Sequence, residues 1–156
     1  MITKRKYSGV CGFRKGFNVV KFVCMKNVTF IGFGEIGGAL AHLIDGKAMI
    51  RSLDKDPSKI IGGVHSIEEA VQESHAVFLC ISSLVTREVA AQIASVISSE
   101  AVVVSLAKGL EKETLKTMDV VLEESLPAGQ ACGVLGGPLL GEELEAGLPG
   151  VGVLGA

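Results

Sequence analysis

The chain is poor in aromatic surface. It has no Trp, one Tyr and six Phe among 156 residues, so it lacks the ring platforms on which nucleic-acid bases stack. No apolar run comes near the roughly 18 residues that a membrane-spanning helix needs. The four cysteines, Cys11, Cys24, Cys80 and Cys132, form no C-x-x-C pair, and His42, His65 and His75 offer no partners at ligand spacing. That pattern argues against a metal site and for reduced thiols in a cytoplasmic protein. The first 26 residues contain no acid but seven basic residues, Lys4, Arg5, Lys6, Arg14, Lys15, Lys21 and Lys26. The remainder carries eight basic against seventeen acidic residues, so a basic tail precedes an acidic body. The tail has no continuous apolar segment of the kind a secretory signal requires. Residues 1–25 are therefore expected to be a poorly ordered extension, and residues 26–156 one folded domain.

What the chain does have is glycine, 20 residues of it, and small aliphatic runs. The runs NVTFIG, KAMIRSL, AVFLCIS, AVVVSL, ACGVLGG and GVGVLGA read as strands. Between them, residues 35–45, SIEEAVQES, TREVAAQIASVIS, residues 113–125 and LLGEELEAG read as helices. Ser66 with Glu69 three positions on is a capping box. The strands are continuously apolar rather than alternating, as expected for strands buried on both faces of a helix-covered parallel sheet.

The segment TFIGFGEIGGALA places Gly32, Gly34 and Gly37 in a G-x-G-x-x-G pattern, after a strand and opening a helix. In that setting Gly32 permits the tight turn, Gly34 lets backbone approach a pyrophosphate, and Gly37 lets the helix pack close to the strand. The helix start then offers N–H groups and a partial positive charge to phosphate. Asp54, 22 positions after Gly32, closes the second strand, where an acid bonds the ribose hydroxyls. These features predict an α/β fold, a Rossmann-type doubly wound parallel sheet in a single domain that binds a dinucleotide. Asp54 favours NAD, since a carboxylate repels a 2′-phosphate, while Lys55 beside it leaves NADP open.

From about Met25 onward the chain resembles the N-terminal domain of the NAD(P)-dependent glycerol-3-phosphate dehydrogenases. Four segments carry the likeness: GFGEIGGALA, ISSLVTREV, SLAKGLEKETL and LGGPLLGEELEAGLPGVGVLGA. The Lys-Gly and Gly-Pro segments, in that order, are more specific than the glycine loop. The resemblance implies that Phe33, Glu35 and Ile36 line the cofactor loop and that Lys55 meets the adenosine ribose or its phosphate. It implies that Ser82, in ISSLVTREV, is a cofactor-binding residue. It makes Lys108 the catalytic residue, touching both nicotinamide and substrate, with Gly137 and Leu139 at the substrate and Gly141 beside the cofactor. An ammonium at Lys108 suits the chemistry, because reduction of a ketone such as dihydroxyacetone phosphate builds negative charge on the carbonyl oxygen. Glu142 and Glu143 are adjacent and point in different directions on a helix, so they read as a solvated face rather than an acid/base pair.

The chain departs from the family pattern at four positions. Ser82 stands where the family usually has Pro, Leu139 where it has Ser or Thr, Gly141 where it has Ala, and Gly150 where it has Thr. The family's second, all-helical domain, which supplies a further lysine and the grip on the substrate phosphate, is not represented. The expectation is therefore a cofactor-binding unit with weak NAD(H) affinity and little turnover alone, the complete enzyme interconverting dihydroxyacetone phosphate and glycerol 3-phosphate for phospholipid synthesis. A homodimer is left open, with no nucleic-acid or membrane partner. The alternatives are a prephenate- or hydroxyacid-dehydrogenase-like fragment, or a non-catalytic nucleotide-binding module. For a fragment, GVGVLGA is expected to form an exposed apolar edge.

Overall fold

A computed structural model of the chain describes residues 27–156. The expectation about residues 1–25 lies outside the described residues. Strand β1 (Asn27–Ile31) leads through the glycine loop into helix α1 (Glu35–Ile44), then β2 (Met49–Leu53) and a 3-10 turn (Pro57–Lys59). There follow α2 (Ile67–Val71), β3 (Ala76–Leu79), α3 (Thr86–Ala94), β4 (Val102–Ser105) and α4 (Met118–Ser125). The chain closes with β5 (Cys132–Gly136), α5 (Gly141–Glu145) and β6 (Val153–Gly155). The sheet order is β2-β1-β3-β4-β5-β6. The first five strands are mutually parallel, so the expected Rossmann-type sheet is present.

Apolar side chains of the central strands divide between the two faces of the sheet, as the strand period demands. In β1, Val28 and Phe30 point to α1, where Phe30 stacks on Phe78 at 5.2 Å. Ile31 points to the other face and joins Val71, Leu79, Ile93, Val103 and Leu122 beneath α2, α3 and α4. The buried Thr29 is satisfied on this second face by the Ala70 carbonyl at 2.6 Å and the Ser74 hydroxyl at 2.7 Å. The capping box holds: Ser66 Oγ accepts from Glu69 N at 3.2 Å, and Glu69 Oε2 accepts from His65 N, one residue before the cap.

Three expectations need correction. The helix read at residues 113–125 begins at Met118. Before it, Leu115 takes a left-handed φ of 57° and its N–H donates to the Glu111 carbonyl, which closes residues 111–116 into a turn and stops helical propagation. The last strand, β6, runs antiparallel to β5. Its connection contains only the five-residue α5, which packs on α1 through the clearances at Gly38 and Gly141 instead of crossing over β5. A parallel return needs a longer crossover, usually a full helix. Finally, burial on both faces belongs to the central strands and not to the edges: β2 is only partly covered and β6 is exposed throughout, with Val153 69% accessible. The apolar edge expected at GVGVLGA is therefore exposed.

Candidate cofactor and substrate site

The loops that carry the candidate residues all leave the carboxyl ends of parallel strands. Gly32 follows β1, Asp54 follows β2, Ser82 follows β3, Lys108 follows β4 and Gly137 follows β5. The connections from β1 and β3 lead to opposite faces of the sheet, so the glycine loop sits at the switch point where open α/β sheets leave a crevice.

The three glycines do three different things. Gly32 has φ +86°, and a Cβ there would lie 2.5 Å from the Cys80 carbonyl oxygen, so the residue is needed for a turn pressed against the end of β3. At Gly37 a Cβ would lie 2.7 Å from the Gly32 carbonyl oxygen, so its absence lets α1 sit down on that turn. Gly34 is unlike either. Its backbone is extended, with φ −78° and ψ −162°, and a Cβ there would meet nothing within 4 Å. The protein itself has no use for the clearance at Gly34. Gly34 is also the N-cap of α1, and no side chain caps that helix. The N–H groups of the first turn therefore face outward beside an open space, which is a fit for an anionic diphosphate.

Asp54 ties this loop to β2. Its Oδ2 accepts from Phe33 N at 2.6 Å and its Oδ1 from Asp56 N at 2.9 Å. The Asp56 and Phe33 backbone N–H groups hold its carboxyl below the usual range. Each carboxylate oxygen keeps a further acceptor direction, so ribose hydroxyls can still be met. Asp56 in turn caps the 3-10 turn through Ser58 N, and Lys55 between the two acids is exposed.

Phe33 packs against the α1-side core and meets Phe30 edge-on at 6.0 Å. Ile36 is half-buried in the first turn. Glu35 turns toward α5: a Cβ at Gly141 would lie 2.6 Å from Glu35 Cγ and 2.8 Å from its Oε1. The carboxylate that charge alone sets against a phosphate thus lies along the α1–α5 contact. Ser82 shapes its own loop, its Oγ accepting from Leu84 N at 3.3 Å and its carbonyl accepting from the buried Thr86 hydroxyl at 3.0 Å. Leu139 lays its side chain over the next turn of chain, where Cβ atoms at Gly150 and Gly152 would come within 3.1 and 3.5 Å of it. Gly137 has φ +129°, and a Cβ there would lie 2.6 Å from the Val151 carbonyl oxygen.

Lys108 and Gly109 form the exposed tip of the loop after β4. Gly109 has φ +101° and lies beside Ser83, whose Oγ is 4.0 Å from the position of a Cβ there. Sequence reasoning passed over what holds this tip. Glu111 is buried at 6% accessibility, and Arg87 from α3 chelates it, Nε to Oε1 at 2.6 Å and Nη2 to Oε2 at 2.9 Å. The Thr114 hydroxyl donates to the same carboxylate. Arg87 Nη2 also reaches Glu124 of α4 at 2.9 Å, and Lys116 pairs with Glu124 at 2.5 Å. The Arg87 guanidinium and the Thr114 hydroxyl pull the Glu111 carboxyl down to about 2. The only signal for this arrangement in the sequence is a Glu three residues after Lys108, and the Arg lies 24 residues from it.

Two surface hollows lie away from this edge, one beside Arg51 and Glu69 and the other between Glu123 and Cys132. Neither is lined by the glycine loop or by Lys108. Among the described residues there is no group of three or more His, Cys, Asp or Glu that could hold a metal. Nor is any helix among them long and apolar enough to cross a membrane.

Comparison with known proteins bears on this geometry. A family model described as the NAD-dependent glycerol-3-phosphate dehydrogenase N-terminus matches residues 54–156. A glycerol-3-phosphate dehydrogenase [NAD(P)+] of Clostridium acetobutylicum is 32% identical over 147 residues, covering 80% of this chain and 44% of the relative. The crystal structure of glycerol-3-phosphate dehydrogenase from Coxiella burnetii superposes with a TM-score of 0.70 at 19% identity, covering 83% of this chain and 46% of that one. A prephenate dehydrogenase from A. aeolicus shares the fold with a TM-score of 0.59 at 23% identity, covering 74% of this chain and 42% of that one. The chain spans less than half the length of these relatives.

Proposed function

The chain belongs to the NAD-dependent glycerol-3-phosphate dehydrogenase N-terminal family, and from that premise we propose that residues 32–37 hold the diphosphate of NAD(H). The observation that carries this reading is the unused clearance at Gly34 beside the uncapped start of α1. Gly34, Glu35 and Ile36 supply outward backbone N–H groups, and Phe33 is fixed by Asp54 so that the loop is preorganised. Asp54 keeps acceptor directions for the ribose, which favours NAD, while the exposed Lys55 gives NADPH a counter-charge. Ser82 and Gly141 border the path from this loop toward β4 and β5. The family match, which shape alone does not supply, favours the glycerol-3-phosphate chemistry over the prephenate- and hydroxyacid-dehydrogenase alternatives.

The reaction proposed for the whole protein is reversible transfer of a hydride from the reduced nicotinamide cofactor to the carbonyl carbon of dihydroxyacetone phosphate, with a proton taken up by the carbonyl oxygen, giving glycerol 3-phosphate and the oxidised cofactor. The bound nicotinamide supplies the hydride. Lys108 stabilises the negative charge that develops on the carbonyl oxygen. Gly137, whose missing side chain admits the Val151 carbonyl, and the Leu139 backbone border the substrate. A cytoplasmic location and a homodimer belong to the same proposal, to be tested by fractionation and by sedimentation.

The direct test is calorimetric titration of the folded chain with NADH and NADPH into the millimolar range. Saturable heat with either nucleotide, lost on competition with the other, is the expected result. Folded protein that takes up neither would end the cofactor assignment. Saturation-transfer NMR with dihydroxyacetone phosphate, in the presence and absence of NAD+, then tests the substrate assignment separately.

A further inference from the structure

We infer that Arg87 is a positioning residue for Lys108: by occupying both oxygens of the Glu111 carboxylate it keeps that acid from capturing the Lys108 ammonium. The inference rests on the proposed role of Lys108 at the reacting carbonyl.

The loop after β4 is fixed at both ends and free between them. At one end, Leu106 N donates to the Leu79 carbonyl at 3.0 Å and Ala107 N to Ser105 Oγ at 3.2 Å, and both residues are buried. At the other end, Glu111 N donates to the Lys116 carbonyl at 2.9 Å and Leu115 N to the Glu111 carbonyl at 2.9 Å. Residues 108–110 span the gap, all exposed. The far anchor is thus Glu111, a buried acid only three residues from the lysine proposed to act at the reacting carbonyl.

Besides Arg87, Lys116 acts on this acid through space and Lys108 lies three residues from it along the chain; the structure shows that the acid takes Arg87. Arg87 offers a fork of two N–H groups, 2.6 and 2.9 Å from the two carboxylate oxygens. The fork is carried on the first turn of α3, whose start is set by the bond from the buried Thr86 hydroxyl to the Ser82 carbonyl. Planar guanidinium matches carboxylate geometry in a way that a lysine ammonium does not. Thr114 adds a third donor. Among the described residues Lys108 forms no ion pair within 4.0 Å. Arg87 also bonds Glu124, which Lys116 shares, so the fork is braced from α4 as well. The pairing joins α3, which follows the loop after β3, to the loop after β4.

If Arg87 only stabilised the fold, its loss would lower stability and leave the Lys108 amine as it was. If it positions Lys108, its loss frees Glu111 to pair with that amine. The test is competitive acetylation of the intact chain at neutral pH, with labelling of the Lys108 peptide read by mass spectrometry relative to the Lys59 peptide. Arg87→Met is expected to slow Lys108 labelling about two- to fivefold, the effect of gaining one weak ion pair at an exposed amine. Adding Glu111→Gln to Arg87→Met is expected to restore the wild-type ratio, although that double variant repairs none of the lost contacts. An unchanged ratio in folded Arg87→Met, or an equally low ratio in the double variant, overturns the inference. Where Arg87→Met does not fold by circular dichroism, Arg87→Lys decides. A single ammonium leaves one Glu111 oxygen for Lys108, so slower labelling is expected, and a wild-type ratio overturns the inference. NADH titration of the same samples is read separately: a wild-type chain that takes no NADH defeats the cofactor assignment, while the labelling ratios still report on Arg87.

Discussion

Replacing Gly34 by Ala should separate what the glycine loop does for the fold from what it does for a ligand. The backbone at Gly34 is extended, with φ −78°, and an added methyl meets nothing within 4 Å. Ala is a poorer N-cap than Gly by about 0.5–1 kcal/mol. Its smaller unfolded-state freedom offsets this by about 0.4–1 kcal/mol. The expected change in stability is therefore within about 0.5 kcal/mol of zero, which moves Tm by no more than about 2 °C in a chain of this size. Binding should respond quite differently. The methyl fills the space assigned to the diphosphate and removes at least one charge-assisted hydrogen bond, worth about 1.5–3 kcal/mol. NADH affinity should fall about 10- to 150-fold. Gly32→Ala is the control with the opposite signature. It forces a non-glycine residue to φ +86° with its Cβ 2.5 Å from a backbone oxygen, at a cost of about 2 kcal/mol or more. Its Tm should drop by about 4–8 °C. The assays are thermal melts and fluorescence titration with NADH. A Gly34→Ala chain that melts normally and binds NADH within twofold of wild type would refute the reasoning, because the clearance would then serve no ligand.

Two further outcomes follow from the charged and thiol groups. The Glu111 carboxyl is held at about 2 by Arg87 and Thr114, below the roughly 4.3 of a free glutamate, so its contribution to stability is complete above that free value and is lost as pH falls toward 2. Glu111→Gln should be less stable than wild type at neutral pH, with the difference shrinking between about pH 4.3 and 2; urea melts that show an undiminished difference at pH 2 would contradict it. The Cys80 thiol lies under the glycine loop, where burial pushes it up to about 12. Iodoacetamide at pH 8 should therefore modify half-buried Cys132 well before Cys80 in the folded chain, and mass spectrometry showing the reverse order would place Cys80 at the surface.

The order of elements was legible because each central strand is an unbroken apolar run and each turn is marked by Gly, Ser or Asp. The glycine loop and Asp54 were legible for the same local reason. The direction of β6 was not. GVGVLGA reads like any buried strand, and only the packing of α5 on α1 shows that the chain returns without a crossover. The start of α4 was hidden in a similar way. Residues 113–117 have adequate helix propensity, but Glu111, gripped by Arg87 from a different helix, collects the bonds that a helix would need. Tertiary pairing overrode a weak local preference. The fork itself joins residues 24 positions apart, which no periodic pattern reports.

The departures from the family pattern take on a different meaning once they are seen in pairs. Gly141 in place of Ala makes room for the Glu35 side chain, 2.6 Å from where a Cβ would stand. Gly150 in place of Thr makes room for Leu144 and Leu139, at 2.7 and 3.1 Å. Ser82 in place of Pro loses a fixed φ but uses its hydroxyl to accept from Leu84 N and close the same turn. Each of these is an exchange, in which one group is removed and a neighbour occupies its space or takes over its bond. Leu139 is the exception. Its side chain fills the volume that Gly150 and Gly152 vacate, and its N–H turns back to the Gly137 carbonyl at 2.9 Å. No hydroxyl is supplied at that position, where the resemblance places one against the substrate. At Ser82, Gly141 and Gly150 the departure is thus compensated within the chain itself, and Leu139 is the position where the lost hydroxyl has no replacement.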